Sequence, residues 1–531
     1  YTLRVNGRKI YINGWNWVPM DVLYGVERAE KRERLLRLAR EANVNLLRVW
    51  GGGLIEKKIF YDLCDRLGIL VWQEFIQSSS GIDNVPSTDP AYIDLLLGTA
   101  EQAIIQRRNH PSLGVWSGGN ELHETAQRLC DTSHPALAAL KGALDRLDPG
   151  RHWVATSPAG GEFGFCVPSD GAQAARLQDV HGPWEYQGLR AQYTLYNQGR
   201  SLLHSEFGVE GLTNRRALDA VIPLASQVPV SLENPLWKHL GFWWVKEQAW
   251  AEIFDPLADV ETTRRATQFL QADGLRYAVE ADRRRQFVNA GTMPWQFNEP
   301  YPMAACTSAV DYFAEPKPVY YTVARAYRPL TVSARFDTLA WNRTEPFRAE
   351  ICCSNTRAAG AGSLSWRLAG LDGKPFCQET LPAALPENGS KVLHRIEAAL
   401  AEIPGDVFFL DLILQDMAGN ELAANRYTFT HAANLAPLLA VPNTQIQASL
   451  ARVNHAWEIT LRNNGAVAAL CAWLEAEKSD LHASGWAAFS DNYLTLLPGE
   501  ERKVRVEWSE VPEERTVTIS GWNFAQVTIR A

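Results

Sequence analysis

The sequence predicts a (β/α)8 barrel followed by two immunoglobulin-like β-sandwiches. Over roughly the first 325 residues, strand-like apolar runs alternate with amphipathic helical stretches about eight times. No early strand is followed by the GxGxxG turn of a doubly wound sheet, which favours a barrel. Near Pro329 the pattern changes to short alternating strands bounded by turns. We therefore predict domains at residues 1–330, 331–435 and 436–531.

The barrel prediction depends on eight apolar runs that fit buried parallel strands. They are residues 11–18, 46–51, 70–75, 113–119, 152–157, 179–184, 202–207 and 292–297. Between them the clearest amphipathic helices are residues 31–42, 56–67 and 92–108. Residues 212–286 are long enough to hold at least two helices, so one connection of the barrel is predicted to be enlarged.

The C-terminal region has the pattern of two sandwich domains. Residues 347–354 and 407–416 are strand candidates of the first, and residues 457–465 and 496–508 are strand candidates of the second. A loop rich in Ala and Pro at residues 433–442 separates the two blocks, each of which has the size of an immunoglobulin-like domain.

Composition excludes several classes of partner. With 46% hydrophobic and 21% charged residues, the chain is typical of a folded globular protein. Its net charge of −8 argues against nucleic acid or an anionic membrane as a partner, and no run approaches the roughly 20 apolar residues of a membrane span. The chain begins at Tyr1, as a fragment or processed form would, so it predicts no localisation.

The cysteines predict neither a disulfide framework nor a metal site. The eight cysteines show no CxxC spacing and no cluster with histidine, which is typical of buried thiols. We therefore predict no metal and no cofactor.

Two glutamates carry the strongest functional signal. Glu121 closes the run LGVWSGGNEL (residues 113–122), and Glu206 lies in SLLHSEFGVEG (residues 201–211). Both follow predicted strands at their C-terminal ends, where an α/β barrel places its chemistry. Two carboxyl groups flanking one anomeric carbon can hydrolyse a glycosidic bond, one as proton donor and the other as nucleophile or base. The 19 tryptophans and 16 tyrosines also include candidates for stacking on sugar rings.

Longer motifs carry a family resemblance. The segments NLLRVWGGGLIEKKIFYDLCDRLGILVWQEF (residues 45–75), RNHPSLGVWSGGNEL (residues 108–122) and HSEFG (residues 204–208) resemble glycoside hydrolase family 2, and most of all its β-mannosidase branch. NGWNWVPMD (residues 13–21), PWQFNEPYP (residues 294–302) and SDNYLTLLPGE (residues 490–500) are similar to the same branch. The resemblance covers nearly the whole chain.

The resemblance implies a retaining mechanism with Glu121 as general acid/base and Glu206 as nucleophile. Such a pair would lie about 5–5.5 Å apart. Asn120 would bind the sugar 2-hydroxyl, a contact that strengthens in the transition state. Glu210 falls outside the predicted strand and is not expected to be the nucleophile.

The resemblance also indicates residues that would shape the sugar site. Arg48 and Trp50 form an Arg-x-Trp arrangement typical of the mannosidase branch. Arg48 would either be a structural cation beside the nucleophile or contact the sugar, and both roles would lower the pKa of the nucleophile. Trp295 is expected to form a platform for the sugar ring.

Other strand-end residues are weaker candidates for substrate contacts. They are His204, Asn16 and Trp184, together with Trp15 and His181. For His181 and Trp184 a plain packing role is an equal alternative.

The sequence departs from the family pattern in two places. Residues 76–90 are less aromatic than in the β-mannosidases they resemble, which bears on glycone specificity, and the chain starts at the barrel, without the β domains that precede it in the family. We predict an exo-acting β-mannosidase with an oligosaccharide or glycoside substrate and contact with such N-terminal β domains. The alternatives are a β-glucosaminidase, an endo-β-mannosidase, or a non-catalytic carbohydrate-binding protein. Retention of Asn120 and both glutamates argues against the last.

Overall fold

The structure is a computed structural model that divides into two compact units. It describes residues 2–78, 84–125, 128–401, 403, 405–454, 456–478, 481, 485–510 and 515–531. The first unit comprises Tyr1–Gln187, Thr194–Gly211 and Asp273–Arg328; the second comprises Gly188–Tyr193, Leu212–Ala272 and Pro329–Ala531. Within the described ranges, every helix is too short or too polar to cross a membrane.

Fourteen strands precede residue 307 in the described chain. They are β1 (Leu3–Val5), β2 (Arg8–Ile10), β3 (Ile12–Trp17), β4 (Leu46–Val49), β5 (Leu70–Glu74), β6 (Leu113–Ser117), β7 (His123–Thr125), β8 (Arg128–Leu129), β9 (His152–Val154), β10 (Asp179–His181), β11 (Leu203–Glu206), β12 (Gly211–Leu212), β13 (Gly291–Thr292) and β14 (Ala305–Cys306).

Eight of these strands form one parallel sheet, the curled sheet of a (β/α)8 barrel. Its strand order is β10-β11-β13-β3-β4-β5-β6-β9, and neighbours such as β3 and β4 pair in parallel. Each strand falls on one of the eight predicted runs, so the predicted fold class is confirmed. The barrel encloses apolar side chains such as Leu46, Trp72 and Val115. All the strands therefore direct their C-terminal ends, where the candidate glutamates lie, toward one mouth.

The helices follow the strands as expected of a barrel with one enlarged connection. They are α1 (Ala29–Glu41), α2 (Lys58–Leu67), α3 (Pro90–Arg107), α4 (Pro135–Leu147), α5 (Gly171–Arg176), α6 (Ala191–Gln198), α7 (Arg215–Val221), α8 (Pro235–Gly241), α9 (Glu247–Phe254), α10 (Val260–Arg284) and α11 (Pro318–Ala326). The first three coincide with the predicted helices, and α7–α10 occupy the predicted enlargement. Short 3-10 helices lie at Leu224–Ser226, Phe242–Trp244 and Ala436–Ala440.

The remaining strands build two sandwiches in the second unit. They are β15 (Leu330–Arg335), β16 (Phe347–Asn355), β17 (Gly360–Gly370), β18 (Pro375–Leu385), β19 (Gly389–Ala398), β20 (Val407–Asp416), β21 (Glu421–Thr430), β22 (Ile446–Val453), β23 (Ala456–Asn463), β24 (Ala469–Ala476), β25 (Ala487–Phe489), β26 (Leu494–Leu496), β27 (Glu501–Trp508), β28 (Thr516–Ser520) and β29 (Val527–Arg530). Sheet β15-β16-β19 faces sheet β18-β17-β20-β21, and sheet β22-β23-β27-β25 faces sheet β26-β24-β28-β29.

Apolar residues from facing sheets fill each sandwich, as alternating strands require. In the first, Phe347 of β16 packs against Phe408 and Phe429 of the opposite sheet at ring-centroid distances of 5.9 and 5.3 Å. In the second, Ile459 of β23 shares a buried cluster with Leu474 of β24.

Residues 212–272, which the sequence places in the barrel domain, belong to the second unit. Within that unit Arg216 of α7 forms an ion pair with Glu475 of β24 at 3.0 Å. Phe269 of α10 packs edge-on against Trp522 at 5.6 Å. The bounds of the three predicted domains stay a prediction.

Candidate active site

The two candidate glutamates meet at the barrel mouth. Glu206 is the last residue of β11, and Glu121 lies four residues beyond the end of β6. One carboxylate oxygen of each lies within 4.8 Å of the other and of a nitrogen of His181. Glu121 adopts a left-handed backbone conformation with φ of 56°, and its N–H donates to the Ser157 carbonyl at 2.7 Å. Such a conformation is unusual for a glutamate and is often found at functional sites.

Glu206 is held at both carboxylate oxygens. Arg48 Nη1 donates to Oε2 at 2.8 Å, and Trp184 Nε1 donates to Oε1 at 2.9 Å. Burial raises the pKa of Glu206 above its ordinary value of 4.5, with a further contribution from Glu121, while the Arg48 charge acts in the opposite direction. The sequence predicted that Arg48 would lower the pKa of Glu206. It did not predict the larger effect of burial, which raises this pKa.

Arg48 organises the site rather than offering a donor to a ligand. Its guanidinium, fully buried, makes five hydrogen bonds: two to Glu74 at 3.0 and 3.2 Å, and one each to Asn16, Asn120 and Glu206. A guanidinium has five N–H groups, so these contacts use its whole donor capacity. Of the two roles predicted for Arg48, the geometry therefore supports the structural cation.

Asn16 and Asn120 are both buried and both accept a hydrogen bond from Arg48, but their amide nitrogens have different partners. Asn16 is fully buried, and its amide nitrogen donates to the backbone carbonyls of Ser205 and Met293, both at 2.9 Å. We therefore drop Asn16 from the set of sugar contacts. The Asn120 oxygen accepts from Arg48, and its amide nitrogen lies 3.3 Å from Ser78 Oγ. Its amide hydrogens are thus the part of Asn120 that a ligand could engage.

His181 connects to both glutamates. Its Nδ1 lies 2.9 Å from Glu121 Oε1 and 3.7 Å from Glu206 Oε2, and its Nε2 lies 3.1 Å from Ser157 Oγ. Burial lowers the pKa of His181 to about 3, against the opposing effect of Glu206. The imidazole is therefore neutral at physiological pH and makes polar contacts rather than the plain packing contacts that were the alternative.

Three tryptophans that follow barrel strands β4, β10 and β13 have partly exposed rings. Trp50 and Trp295 meet edge to face with centroids 5.3 Å apart, and Trp184 reaches Glu206 through its indole N–H. All three are half-buried. Partly exposed aromatic faces beside carboxylates are suited to the apolar faces of a sugar ring.

His204 lies outside this cluster, although the sequence places it two residues before Glu206. Its ring is fully buried between Phe165 and Phe207, at centroid distances of 4.4 and 4.0 Å, and its Nδ1 lies 3.3 Å from Asp282. A β-bulge in β11 shifts the register with β10, so residues 204 and 206 do not share a face. We drop His204 from the sugar contacts.

Trp15 and Glu210 also lie away from the carboxylate pair. Trp15 is 1% exposed and packs edge-on against Phe297 at 5.9 Å. Glu210 is buried and accepts a hydrogen bond from the Tyr186 N–H at 3.0 Å. Glu210 was not expected to be the nucleophile, and this position is consistent with that expectation.

Three site residues were missed by the sequence analysis. Glu74 ends β5 and bonds both Arg48 and the Gly51 N–H. Ser157 and Asp179 form a buried hydrogen bond of 2.9 Å beneath His181. Each lies at the end or start of a predicted strand, a position that could have drawn attention to it, but their burial could not be read from the sequence.

Among the residues that the structure describes, two groups of side chains have metal-ligand atoms close together. In the group Glu121, His181 and Glu206, Glu206 already forms an ion pair with the Arg48 guanidinium. The other is Asp62, Asp65 and His110, in which Lys58 binds Asp62 at 2.6 Å. A cation at either place would have to displace or oppose an existing positive charge, so the expectation that no metal is needed stays a prediction.

The loop of residues 76–90, which departs from the family pattern, reaches the site. Ser78 contacts Asn120, and Gln77 accepts the Asn120 backbone N–H at 2.9 Å. Residues 79–83 lie outside the described residues. The part of the loop beside Asn120 is therefore in place to affect the glycone.

Comparison with known proteins shows which families and relatives the chain is similar to. Residues 1–159 match the model of the glycosyl hydrolases family 2 TIM barrel domain, and residues 425–524 match that of the exo-β-D-glucosaminidase Ig-fold domain. β-Mannosidase B of Aspergillus fumigatus is 28% identical over 373 residues, which are 65% of this chain and 42% of that protein. β-Mannosidase B of Thermothelomyces thermophilus is 28% identical over 369 residues, which are 62% of this chain and 41% of that protein. The chain thus spans less than half the length of these relatives.

Solved structures share the fold. The β-D-mannosidase of Dictyoglomus thermophilum has a TM-score of 0.79 at 22% identity, covering 99% of this chain and 62% of that chain. The exo-chitosanase CsxA of Amycolatopsis orientalis has a TM-score of 0.76 at 18% identity, covering 100% of this chain and 65% of that chain. The barrel region is thus similar to the glycosyl hydrolases family 2 TIM barrel domain, and the chain as a whole is similar to β-mannosidases that share its fold.

Proposed function

We propose that this chain hydrolyses terminal β-linked sugars, and β-mannosides in particular, by a retaining mechanism with Glu206 as nucleophile and Glu121 as general acid/base. The observation that carries the proposal is the approach of the two carboxylates to within 4.8 Å. Retaining pairs lie about 5–5.5 Å apart, whereas inverting pairs lie about 6.5–9.5 Å apart to admit a water. A pair of carboxylate oxygens within 4.8 Å supports the retaining arrangement over the inverting one.

The surrounding groups fit these two roles. Glu206 must be ionised to attack the anomeric carbon, and the Arg48 guanidinium opposes the effect of burial on its pKa. Glu121 retains 13% of its side-chain exposure and so can reach a leaving-group oxygen. After the glycosyl-enzyme forms, the Glu121 carboxylate can accept a proton from the attacking water, which restores the starting state.

Asn120 is proposed to bind the 2-hydroxyl. Its oxygen is occupied by Arg48, which fixes the amide orientation and leaves the amide hydrogens facing Ser78 and the pocket. Trp50, Trp184 and Trp295 would contact the ring faces. A site that binds the axial 2-hydroxyl of a mannoside loses those contacts with an equatorial substituent, and unpaired polar groups are strongly discriminating.

A β-glucosaminidase is the second candidate. The Ig-fold match is to an exo-β-D-glucosaminidase domain, and residues 76–90 reach the position where a 2-substituent would lie. Action within a glycan chain, contact with N-terminal β domains, and the absence of nucleic-acid or membrane partners stay predictions.

A panel of aryl β-glycosides tests the proposal on this chain. We expect aryl β-mannoside to exceed β-glucoside and β-galactoside by at least about tenfold in kcat/KM, or ~1.4 kcal/mol. Preference for β-glucosaminide would favour the second candidate. If the chain binds glycosides but turns them over no faster than a Glu121→Gln/Glu206→Gln double variant does, it is instead a non-catalytic carbohydrate-binding protein.

A further inference from the structure

A line of buried polar side chains leads from Glu121 into the barrel. His181 Nδ1 lies 2.9 Å from Glu121 Oε1, His181 Nε2 lies 3.1 Å from Ser157 Oγ, and Ser157 Oγ lies 2.9 Å from Asp179 Oδ2. Ser157 and Asp179 are fully buried, and His181 is 1% exposed. Hydrogen bonds thus connect a carboxyl at the pocket with a carboxyl that is sealed from solvent.

The strands fix the spacing of this line. Asp179 and His181 are two residues apart on β10, and both contact Ser157. Ser157 follows β9, and its carbonyl accepts the Glu121 backbone N–H at 2.7 Å. The serine is therefore anchored to the same residue whose side chain the line reaches.

Charge favours a mobile proton at the inner end. Burial raises the pKa of Asp179 to about 7, against the opposing effects of the Ser205 and Ser157 hydroxyls and of Arg48, while Glu74 adds to the rise. His181 faces Glu206, Arg48 and His204 and is neutral. A neutral imidazole has one N–H and one acceptor nitrogen, so it can pass a proton by exchanging tautomers.

We propose that Asp179 is a positioning residue for the general acid/base: through Ser157 and His181, Asp179 and Glu121 share one proton. A proton leaves Asp179 Oδ2 for Ser157 Oγ, the serine hydrogen moves to His181 Nε2, and the Nδ1 hydrogen moves to Glu121 Oε1. One O–H bond breaks at Asp179 and one forms at Glu121, so the net charge is unchanged. The protonation of Asp179 then decides whether Glu121 meets the substrate as an acid or as a carboxylate.

This role rests on the proposed function, because it concerns Glu121 as the acid/base. Glycosides whose leaving groups need protonation should therefore be the most sensitive to it. Ser157→Ala interrupts the line and Asp179→Asn removes its titrating end. Ser205→Ala is the comparison variant: the Ser205 hydroxyl touches Ser157 at 3.0 Å and also bonds Asp179, but it does not lie between Asp179 and His181, so its removal leaves the line unbroken.

The kinetic experiment compares pH profiles of kcat/KM for aryl β-mannosides with good and poor leaving groups. We expect Ser157→Ala and Asp179→Asn to lose at least about tenfold with poor leaving groups, to lose far less with good ones, and to displace the limb of the profile due to the acid. Asp179→Asn should have no further effect in the Ser157→Ala background. Equal losses for all leaving groups, independent effects of the two substitutions, or an equally large loss with poor leaving groups in Ser205→Ala, which keeps the line unbroken, would overturn the proposal.

A second readout does not depend on activity. The protein is labelled with ¹⁵N-histidine for NMR, and the signals of the His181 ring are identified by their absence in His181→Asn. The chemical shifts of the two ring nitrogens report which of them carries the hydrogen. Asp179→Asn should change these shifts in the parent and in Ser205→Ala but not in the Ser157→Ala background. If the shifts change as expected but the parent is inactive on all glycosides, the proposed function alone is rejected. If the parent is active but Asp179→Asn leaves the His181 shifts unchanged, the shared proton alone is rejected.

Discussion

Arg48 shows how one side chain can hold several catalytic groups in place. Its five hydrogen bonds connect Glu74, Asn16, Asn120 and Glu206, so the nucleophile and the residue proposed to bind the 2-hydroxyl share a single anchor. A lysine has three donors and no planar fork, and it could not replace this geometry. The arginine of the Arg-x-Trp motif therefore matters first for the arrangement of the site.

Replacing each glutamate separates the two proposed roles. We expect Glu206→Ala to abolish turnover of every substrate, because no covalent intermediate can form. Glu121→Ala should lose about 10²–10⁴-fold with natural glycosides but much less with activated aryl glycosides, which need little protonation. A leaving-group series of kcat/KM measures the difference, and equal losses in both variants would contradict the assignment.

Asp179 should reduce stability as pH rises. Its pKa is raised to about 7 in the folded chain from an ordinary value of 3.8. The stability that the protonated Asp179 contributes to the folded chain is therefore fully present below about pH 3.8 and is lost as pH rises through about 7. As pH is raised from 5 to 8, the free energy of unfolding of Asp179→Asn should increase relative to that of the parent by a few kcal/mol. Denaturant unfolding of both proteins at the two pH values measures this difference. A difference in stability that does not change with pH would refute the raised pKa of Asp179.

Activity should survive chelation. The proposed chemistry needs two carboxyls, and Glu206 already has a cationic partner in Arg48. We expect unchanged kcat/KM after EDTA treatment. A loss that is reversed by returning a divalent cation would show that one of the two ligand groups is a metal site.

At the scale of the element, the strand β6 and the turn after it set the position of Glu121, the proposed general acid. Gly118 precedes Asn120 and Glu121, and a Cβ there would press against the Ala155 backbone carbonyl and Leu137. A Cβ at Gly114 on the same strand would approach nothing closer than the Val71 carbonyl at 3.8 Å.

Gly118→Ala should therefore lower activity more than Gly114→Ala. Relief of the contact must shift the turn that carries Glu121, and small displacements of catalytic groups can cost about 10²-fold. The test measures kcat/KM and the thermal unfolding midpoint of both variants. Similar activity in the two would show that the turn absorbs the added methyl group.

Periodicity predicts the elements better than it predicts their details. The eight barrel strands are apolar runs with buried neighbours, so each could be identified from the sequence. The bulge in β11 could not, so nothing in the sequence separated His204 from Glu206 when both were candidates at the end of one strand. Glu74 and Asp179 were missed because a charged residue in a strand gives no sign of being fully buried.

At the scale of the whole molecule, an ion cluster links the two sandwiches within the second unit. Arg426 of β21 binds Asp411 of β20 and reaches Glu500, next to β27, at 2.8 Å. Although burial acts in the opposite direction, the hydrogen bonds and charge of Arg426 lower the pKa of Glu500 to about 2. The contribution of Glu500 to stability is therefore present above about pH 4.5 and is lost as pH falls toward 2.

Glu500→Gln should destabilise the chain by about 1–3 kcal/mol at pH 7, and by less as pH falls below 4.5. Glu397→Gln is the matched control, because the Glu397–Arg348 pair is 66% and 63% exposed and such pairs contribute little. Unfolding followed at several pH values distinguishes the two. Equal effects would indicate that the cluster does not stabilise the junction.

The neutral state of His181 has a consequence for inhibitors. Arg48 brings one positive charge to a site that holds the carboxylates of Glu74 and Glu206, and the buried imidazole adds none. The pocket therefore carries excess negative charge at the place where an anomeric carbon would lie. Sugar mimics with a protonated ring nitrogen should bind more tightly than neutral mimics of the same shape, and added salt should weaken them only slightly because the charges are buried.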